Sequence, residues 1–316
     1  MNVLVWHVHG SYTTALVQGP HRYLLPVVPD RGPDGRGRAR TWDWPPSAVE
    51  LSPSELATTD VDVVVLQRPE DERLANAWLG GRRVGRDLPA VWLEHNAPQG
   101  RIADLRHPAA DRDDVTVVHV TPTNALFWDT GGTRTRVIEH GVIDPGDRYS
   151  GELPRAAVAV NEPRRRGRVV GTDLLPSLAR VVPIDLFGLE VGGVDVPGVQ
   201  PHGEVPQHRL HGEMARRRVY LHPVRWTSLG LTLIEAMLLG MPVVALATLE
   251  VPDAVPAEAG VVSNHPDVLA AALRHFVDDP EAARMTGKAA RASALERYGL
   301  DRFVAEWTAL LSEVTG

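Results

Sequence analysis

The chain has 316 residues, a length that predicts about two domains of ordinary size and excludes a single small binding module. Apolar residues make up 43% and charged residues 23%, so each domain can bury a core. The net charge of the whole chain is -7 and is divided between its two halves, which disfavours a large nucleic-acid surface. Cysteine is absent, which favours a cytoplasmic location, and neither a signal peptide nor an apolar run near the ~18 residues of a membrane span is found, which leaves at most peripheral membrane contact.

In the first half of the chain, short apolar runs bounded by turn residues predict the buried strands of a parallel sheet. These runs are residues 3–6, 61–66, 90–93, 115–120 and 136–138. Residues 70–79 and 124–129 have helical composition, and this alternation is typical of βαβ units. The insert 29–46, rich in Gly, Pro and Arg and ending in TWDWPP, predicts a long surface loop.

A turn-rich stretch at residues 139–155 predicts a linker, and the alternation restarts beyond it. The strands predicted there are 156–160, 183–187, 219–222 and 242–245, and the helices are 172–180, 207–217, 230–239, 267–278, 280–297 and 300–311. The predicted fold class is therefore α/β, with two Rossmann-like, doubly wound lobes separated by a cleft. The lobes would span 1–150 and 151–297, and a C-terminal helix at 298–316 could pack back on the first lobe.

The segment 222–246, HPVRWTSLGLTLIEAMLLGMPVVAL, carries the most chemical information. Gly230 opens a predicted helix after a strand, where main-chain N–H groups and the helix dipole favour an anion. Glu235 lies roughly 7–8 Å further along the helix axis, an offset that suits a diphosphate at the helix start and a carboxylate on a ribose hydroxyl. A purely structural alternative has equal standing: Thr232 as N-cap and Glu235 at N3 would form a capping box.

The run 227–244 resembles the donor-site signature of retaining GT-B glycosyltransferases of family 4 (glycosyl transferases group 1), of actinobacterial type. Residues 139–142, 171–175 and 280–299 resemble further segments of that family. The resemblance implies that a loop glycine contacts the diphosphate of a sugar nucleotide and that the Glu of E-A-M holds the ribose. The implied nucleotide-binding residues are Thr172, Ser228, Leu229, Gly230, Leu231 and Glu235.

Two positions depart from the family pattern. The family commonly has a second Glu eight positions before the ribose Glu, and here that position is Thr227. The family's Lys at the start of the second lobe falls on Val170, and the chain has one Lys in all, Lys288. Arg165 and Arg168 are therefore the candidates for binding the diphosphate, because an Arg fork can bind two phosphate oxygens. The alternative is a solvated basic loop.

In the first lobe, the family places an acceptor-facing loop after the first strand and a His that contacts the donor sugar after a later one. The matching loop residues are His9, Gly10, Ser11 and Tyr12. Arg68, which follows the second predicted strand, and His140 complete the predicted acceptor side. His95 is the expected donor-sugar contact, and a strand-end His that only orders its loop is the alternative. Arg68 could instead pair with Glu70 or Asp71, and the tryptophans of TWDWPP are expected to pack over the lobe.

No metal site is expected. Asp60-Val61-Asp62 matches a D-x-D motif by chance, since it precedes a strand instead of following one, and the pairs His7/His9 and His208/His211 lack a third ligand. The predicted function is a retaining, metal-independent glycosyltransferase with His95, Glu235 and Thr227 in catalytic roles. It would use a nucleotide-diphosphate sugar, with UDP or GDP, and a hydroxyl or amine on a small soluble or natural-product acceptor. The alternatives are a non-catalytic sugar-nucleotide-binding homologue or partner subunit, and a sugar-nucleotide epimerase.

Overall fold

The structure, a computed structural model, describes the backbone of residues 1–316 and every side chain except those of Ile102 and His208. The chain forms two compact units. The first contains Met1–Val142 together with Leu300–Gly316, and the second contains Ile143–Gly299.

Strands and helices are numbered in chain order. The strands are β1 Asn2–Val5, β2 Arg22–Pro26, β3 Ala48–Leu51, β4 Val63–Leu66, β5 Ala90–Glu94, β6 Val115–His119, β7 Arg134–Val137, β8 Leu153–Ala159, β9 Ile184–Phe187, β10 Val199–Pro201, β11 Arg217–His222, β12 Val243–Ala245 and β13 Gly260–Val262. The helices are α1 Gly10–Leu16, α2 Pro53–Leu56, α3 Pro69–Trp78, α4 Pro122–Phe127, α5 Pro163–Arg166, α6 Leu175–Leu178, α7 Gln207–Ala215, α8 Leu231–Leu238, α9 Val251–Ala254, α10 Pro266–Asp278, α11 Pro280–Tyr298 and α12 Leu300–Thr315.

The first domain is a seven-stranded sheet in the order β3-β2-β1-β4-β5-β6-β7, with every neighbouring pair parallel. All four residues of β4 are fully buried, as expected for a strand covered on both faces. Helix α12 contributes Phe303 and Trp307 to this core, and the Trp307 indole N–H donates to the Tyr12 hydroxyl at 3.0 Å. A Cβ on Gly141 would lie 2.3 Å from Phe303, so the chain and α12 are in close contact there.

The second domain is a six-stranded parallel sheet in the order β10-β9-β8-β11-β12-β13. Helix α8 is followed by its C-cap, Leu239, and then by Gly240, whose φ is +86°. Gly240 therefore occupies the left-handed C′ position that the sequence predicts. Helix α11 packs so closely on this turn that a Cβ on Gly287 would lie 1.9 Å from the Gly240 carbonyl oxygen. The predicted pair of parallel, doubly wound α/β domains is thus confirmed.

Each sheet has one point where the strand order reverses, between β1 and β4 in the first domain and between β8 and β11 in the second. Ligands of open α/β sheets bind at the carboxyl ends of the strands on either side of such a point. The segments that follow β1, β4, β8 and β11 are therefore where binding residues are expected.

Sequence reasoning missed β2, β3, β10 and β13. Strands β10 and β13 have three residues each and give no periodic signal, and β2 ends in a proline. The predicted helix 172–180 is instead a 3-10 turn, Thr172–Leu174, followed by α6, which has a Pro in its first turn. Strand β8 begins inside the predicted linker. Over the described residues, no helix is long and apolar enough to cross a lipid bilayer.

Candidate active site

The start of α8 lies directly after β11, beside the reversal point of the second sheet. Gly230 is the N-cap of this helix, so Thr232 is its second residue and the capping-box alternative is wrong. The Thr232 hydroxyl instead accepts a hydrogen bond from the Tyr220 hydroxyl at 3.0 Å. Ser228 and Leu229 are buried in the loop before the helix, whereas Thr227 is half-buried.

Gly230 is required here by close approach and not by backbone conformation, because its φ is an ordinary -72°. A Cβ would lie 2.7 Å from Cε1 of His222, a ring that is 1% exposed. Burial lowers the pKa of His222 to about 4, so the ring beneath the helix start is neutral at physiological pH. Helix α8 therefore presents its first N–H groups without a side chain of the N-cap residue between them and a ligand.

Replacing Gly230 with alanine is expected to displace either the helix start or the buried His222 ring, because the new methyl group has no space. We expect this variant to fold with reduced thermal stability and to lose most of the nucleotide binding that the sequence predicts. Thermal unfolding with and without UDP measures both effects. Gly132→Ala in the first domain is the control, because its φ is not positive and its Cβ would make only one ordinary contact, with Asp111 at 3.8 Å. Equal nucleotide-induced stabilisation in Gly230→Ala and wild type would contradict the expectation.

Glu235 projects from α8 in a buried position, with 3% of its surface exposed. One carboxylate oxygen lies 3.3 Å from Nε2 of His211 on α7, whose ring is also in contact with Gln207. Helix α7 is thus the neighbour that positions the Glu235 carboxylate. The side chain of His208, on the same helix, lies outside the described residues.

The arginines predicted to bind the diphosphate follow β8, on the other side of the same reversal point. Arg165 pairs with Glu162, and Arg168 pairs with Asp173, a carboxylate that Arg225 also holds. Both predicted cations are mostly exposed, with 68% and 77% of their side chains accessible. Thr172 donates its hydroxyl to the Pro163 carbonyl at 2.7 Å and so ties the end of this basic segment back to its start.

Arg166 is a cation that sequence reasoning did not single out. It is half-buried, and burial together with the neighbouring Arg165 lowers its pKa. Among the side chains that the structure describes, none accepts a hydrogen bond from its guanidinium. A half-buried cation of this kind is well suited to an anionic ligand. Nothing in the run of three arginines distinguishes Arg166 from its neighbours, since the distinction depends on the turn of α5.

On the first domain, aromatic and imidazole rings from three segments meet at the carboxyl edge of the sheet. The ring centroids of His9 and His95 are 4.3 Å apart, those of Tyr12 and His95 4.4 Å, and those of Tyr12 and His140 5.7 Å. Burial lowers the pKa of His9 to about 4, of His140 to about 3 and of His95 well below its ordinary value. The structure therefore brings four of the predicted acceptor-side and donor-sugar residues together as an uncharged cluster.

Arg68 and Gly10, two further residues predicted on the acceptor side, make contacts outside this ring cluster. Arg68 is paired with Asp71, a fully buried carboxylate at 2.6 Å, and also donates to the Pro33 carbonyl. Gly10 begins α1, followed by the half-buried Ser11, and a Cβ on Gly10 would make only ordinary contacts with His7 and Trp42. Of the two tryptophans in TWDWPP, Trp44 is buried and donates to the Thr14 hydroxyl at 2.8 Å, whereas Trp42 is half-exposed.

The D-x-D match lies at the opposite, amino edge of the first sheet. An Asp62 carboxylate oxygen accepts from the Asn2 main-chain N–H at 2.6 Å, and the Asp60 carbonyl accepts from the Asn2 side chain. These contacts tie the start of β1 to the segment before β4. Among the described side chains, no group of three or more His, Cys, Asp or Glu could hold a metal ion.

The fold, with two Rossmann-like domains, is of the GT-B type, and solved structures with this fold superpose on the chain. Sucrose-phosphate synthase from Thermosynechococcus elongatus superposes with a TM-score of 0.75 at 15% identity, covering 99% of this chain and 98% of that one. HepE from Anabaena, in complex with UDP, superposes with a TM-score of 0.69 at 16% identity, covering 99% and 100%.

Part of the chain also matches known proteins in sequence. Residues 197–293, which include α8 and Glu235, match the family model of glycosyl transferases group 1. D-inositol 3-phosphate glycosyltransferase from Streptomyces griseus is 36% identical over 155 residues, or 46% of this chain and 32% of that protein. The chain thus spans about a third of the length of the curated relative it matches.

Proposed function

We propose that the protein is a glycosyltransferase that moves a sugar from a nucleotide diphosphate to a hydroxyl or amine of a small acceptor. One observation carries this proposal above the others. Within the segment that matches the glycosyl transferases group 1 model, α8 begins at a side-chain-free Gly230 pressed on a neutral His222, and Glu235 is buried one turn further on. This arrangement offers N–H donors for a diphosphate and a carboxylate for a ribose.

On the donor side, the main-chain N–H groups from Ser228 to Leu231 would bind the diphosphate. Arg165, Arg166 and Arg168 would supply positive charge from the segment after β8. Positive groups placed where charge develops on the leaving diphosphate stabilise the transition state. UDP is the first nucleotide to test because HepE, which shares the fold, has been crystallised with UDP and with UDP-glucose.

On the acceptor side, we assign His9, Gly10, Ser11, Tyr12, Arg68 and His140 to acceptor binding. Neutral imidazoles and a phenol suit hydroxyl groups, since they can donate or accept hydrogen bonds without the cost of burying a charge. His95 would contact the transferred sugar. We propose a retaining reaction without a bound metal, in which the departing phosphate oxygen takes the proton of the acceptor hydroxyl and no protein nucleophile takes part.

Glu235→Gln is expected to weaken UDP binding by about 10-fold to 100-fold, because a charge-assisted hydrogen bond is worth about 1.5–3 kcal/mol. Isothermal titration calorimetry with UDP measures the change. Glu296→Gln removes an exposed carboxylate from α11 and serves as the matched control with unchanged affinity. The nucleotide-binding assignment fails if the two variants bind UDP equally well, and the glycosyltransferase proposal fails if neither UDP, GDP, ADP nor dTDP binds the wild type.

Thr227 supports a second candidate, a sugar-nucleotide-binding homologue without turnover. A half-buried hydroxyl replaces the carboxylate that the family commonly has at this position. The two functions differ in one measurement. Release of UDP from UDP-sugars in the presence of a panel of acceptors establishes the enzyme. Tight UDP binding by a wild type that releases no UDP, together with UDP release by Thr227→Glu, establishes the binding homologue.

A further inference from the structure

The ring of His95 is held on one side by the side chain of Gln67. His95 follows β5 and Gln67 follows β4, the neighbouring strand, and the two side chains are 8% and 6% exposed. His95 Nε2 lies 3.0 Å from Gln67 Oε1. Glutamine amides present an acceptor and a donor end, so the identity of the end that faces His95 determines which ring nitrogen carries hydrogen.

The orientation of the Gln67 amide is determined by a main-chain carbonyl. Gln67 Nε2 donates to the carbonyl oxygen of Trp6, the residue just after β1, at 2.7 Å. A carbonyl can only accept, so the amide nitrogen faces Trp6 and the amide oxygen faces His95. An amide oxygen can also only accept, so His95 Nε2 is the donor.

We propose that Gln67 is a positioning residue that holds His95 in the tautomer with hydrogen on Nε2 and a lone pair on Nδ1. The chain of contacts runs from β1 through β4 to β5, the three strands around the reversal point of the first sheet. Gln67 is itself anchored, because its main-chain N–H donates to the buried Asp71 carboxylate at 3.0 Å.

The main chain next to His95 is held as firmly as the ring. The Asn96 N–H donates to Glu94 at 2.7 Å, and the Asn96 carbonyl accepts from the Trp128 indole at 3.0 Å. Glu94 is buried, and its other carboxylate oxygen lies 3.2 Å from His107 Nε2. The main chain on either side of His95 is thus fixed, and the contact with Gln67 orients the ring.

The groups that face His95 keep it uncharged. His9 and Tyr12 contact it from the segment after β1, and His140 lies beyond Tyr12 after β7. Burial lowers the pKa of both histidines and raises that of Tyr12, so all three are neutral near pH 7, and Arg68 is compensated by Asp71. Any group that binds at Nδ1 must therefore donate a hydrogen bond. A sugar or acceptor hydroxyl meets this requirement if the proposed function holds, and a phosphate or carboxylate oxygen does not.

Nitrogen-15 NMR of protein labelled at histidine tests the tautomer directly. The spectrum distinguishes a protonated from an unprotonated ring nitrogen, and His95→Asn assigns the His95 signals by their loss. We expect a protonated Nε2 and an unprotonated Nδ1 in wild type from pH 6 to 8. In Gln67→Met we expect a mixture of tautomers. Gln18→Met, which removes a side-chain amide bonded at 3.1 Å to the Thr14 carbonyl on α1, is the matched control and should leave the signals unchanged.

Gln67→Glu is a second variant in case Gln67→Met does not fold. A carboxylate facing Nε2 favours the imidazolium, so we expect the His95 pKa to rise and both ring nitrogens to become protonated at a higher pH than in wild type. A wild-type His95 protonated on Nδ1 would overturn the proposal, and so would His95 signals that are identical in wild type and the folded Gln67 variants.

Kinetics connect the tautomer to sugar transfer. Gln67→Met should lower kcat by about 10-fold to 100-fold, the effect of misplacing a group in a reacting geometry, and leave the Kd for UDP unchanged. A parallel loss of UDP affinity would contradict a positioning role confined to the first domain. The NMR experiment does not depend on turnover, so failure to find sugar transfer would refute the proposed function without affecting the tautomer assignment.

Discussion

Replacing Asp185 with asparagine is expected to lower the free energy of unfolding by about 3–5 kcal/mol, the cost of removing one partner from a buried ion pair. Asp185 lies in β9, is 2% exposed and accepts from Arg217 at 2.7 Å and Arg155 at 2.9 Å, with His202 Nε2 at 3.1 Å. Arg217 is itself 4% exposed, so the variant would leave a buried guanidinium with less compensation. Urea unfolding measures the loss, and Asp195→Asn, an exposed carboxylate in the same domain, is the control.

The stabilisation by Asp185 should also depend on pH in a defined direction. Burial raises the pKa of Asp185, but hydrogen bonds from Arg217, His202 and Arg155 outweigh burial and hold the pKa below its ordinary value. A carboxyl with a depressed folded pKa contributes its full stabilisation above its unfolded pKa of about 3.9 and loses it as the pH falls through the folded value. The difference in stability between wild type and Asp185→Asn should therefore be constant near neutral pH and shrink below about pH 4. A difference that grows in acid would contradict this assignment.

Gly287→Ala is expected to lower the free energy of unfolding by about 1–3 kcal/mol, although alanine in a helix interior is intrinsically favoured by about 1 kcal/mol. The cause is the close packing of α11 on the turn after α8, where the new Cβ would lie 1.9 Å from the Gly240 carbonyl oxygen. Because both partners at this contact are backbone, no side chain can move aside, and the two segments must separate.

Gly212→Ala is the matched control for this substitution. Gly212 is also inside a helix, α7, and a Cβ added there would meet nothing within 4 Å. Its replacement should therefore raise the free energy of unfolding by up to about 1 kcal/mol. Opposite signs for the two variants in thermal or urea unfolding support close packing at Gly287, and stabilisation by both would show that α11 has room to move.

Much of the fold follows from local sequence. The runs that became β4, β5, β6, β8 and β11 are mainly apolar, because both faces of a parallel sheet are covered, and Gly240 marks the end of α8 as its left-handed conformation requires. The three-residue strands β10 and β13 could not be found in this way, since they are defined by their pairing with β9 and β12 and not by a local pattern.

In the candidate site too, local sequence indicates some residues, whereas other contacts depend on packing between elements. The sequence indicates Gly230 and Glu235 because their spacing at the start of one predicted helix suits a diphosphate and a ribose. The contact of Gly230 with His222 depends on the packing of α8 against β11 and leaves no mark on the local sequence. Gln67 and His95 likewise meet only because β4 and β5 are neighbours in the sheet. The half-buried position of Arg166 depends on the turn of α5, so the sequence alone does not distinguish Arg166 from Arg164 and Arg165.

The placement of α12 in the first domain has a consequence for how the chain folds during its synthesis. Tyr12 lies near the amino terminus, and its partners Phe303 and Trp307 belong to the last helix. The first domain therefore lacks part of its core until residues 300–316 have been synthesised, whereas residues 143–299 form a continuous unit that can fold earlier. The second domain can therefore be complete before the first, whose core is finished only by residues 300–316.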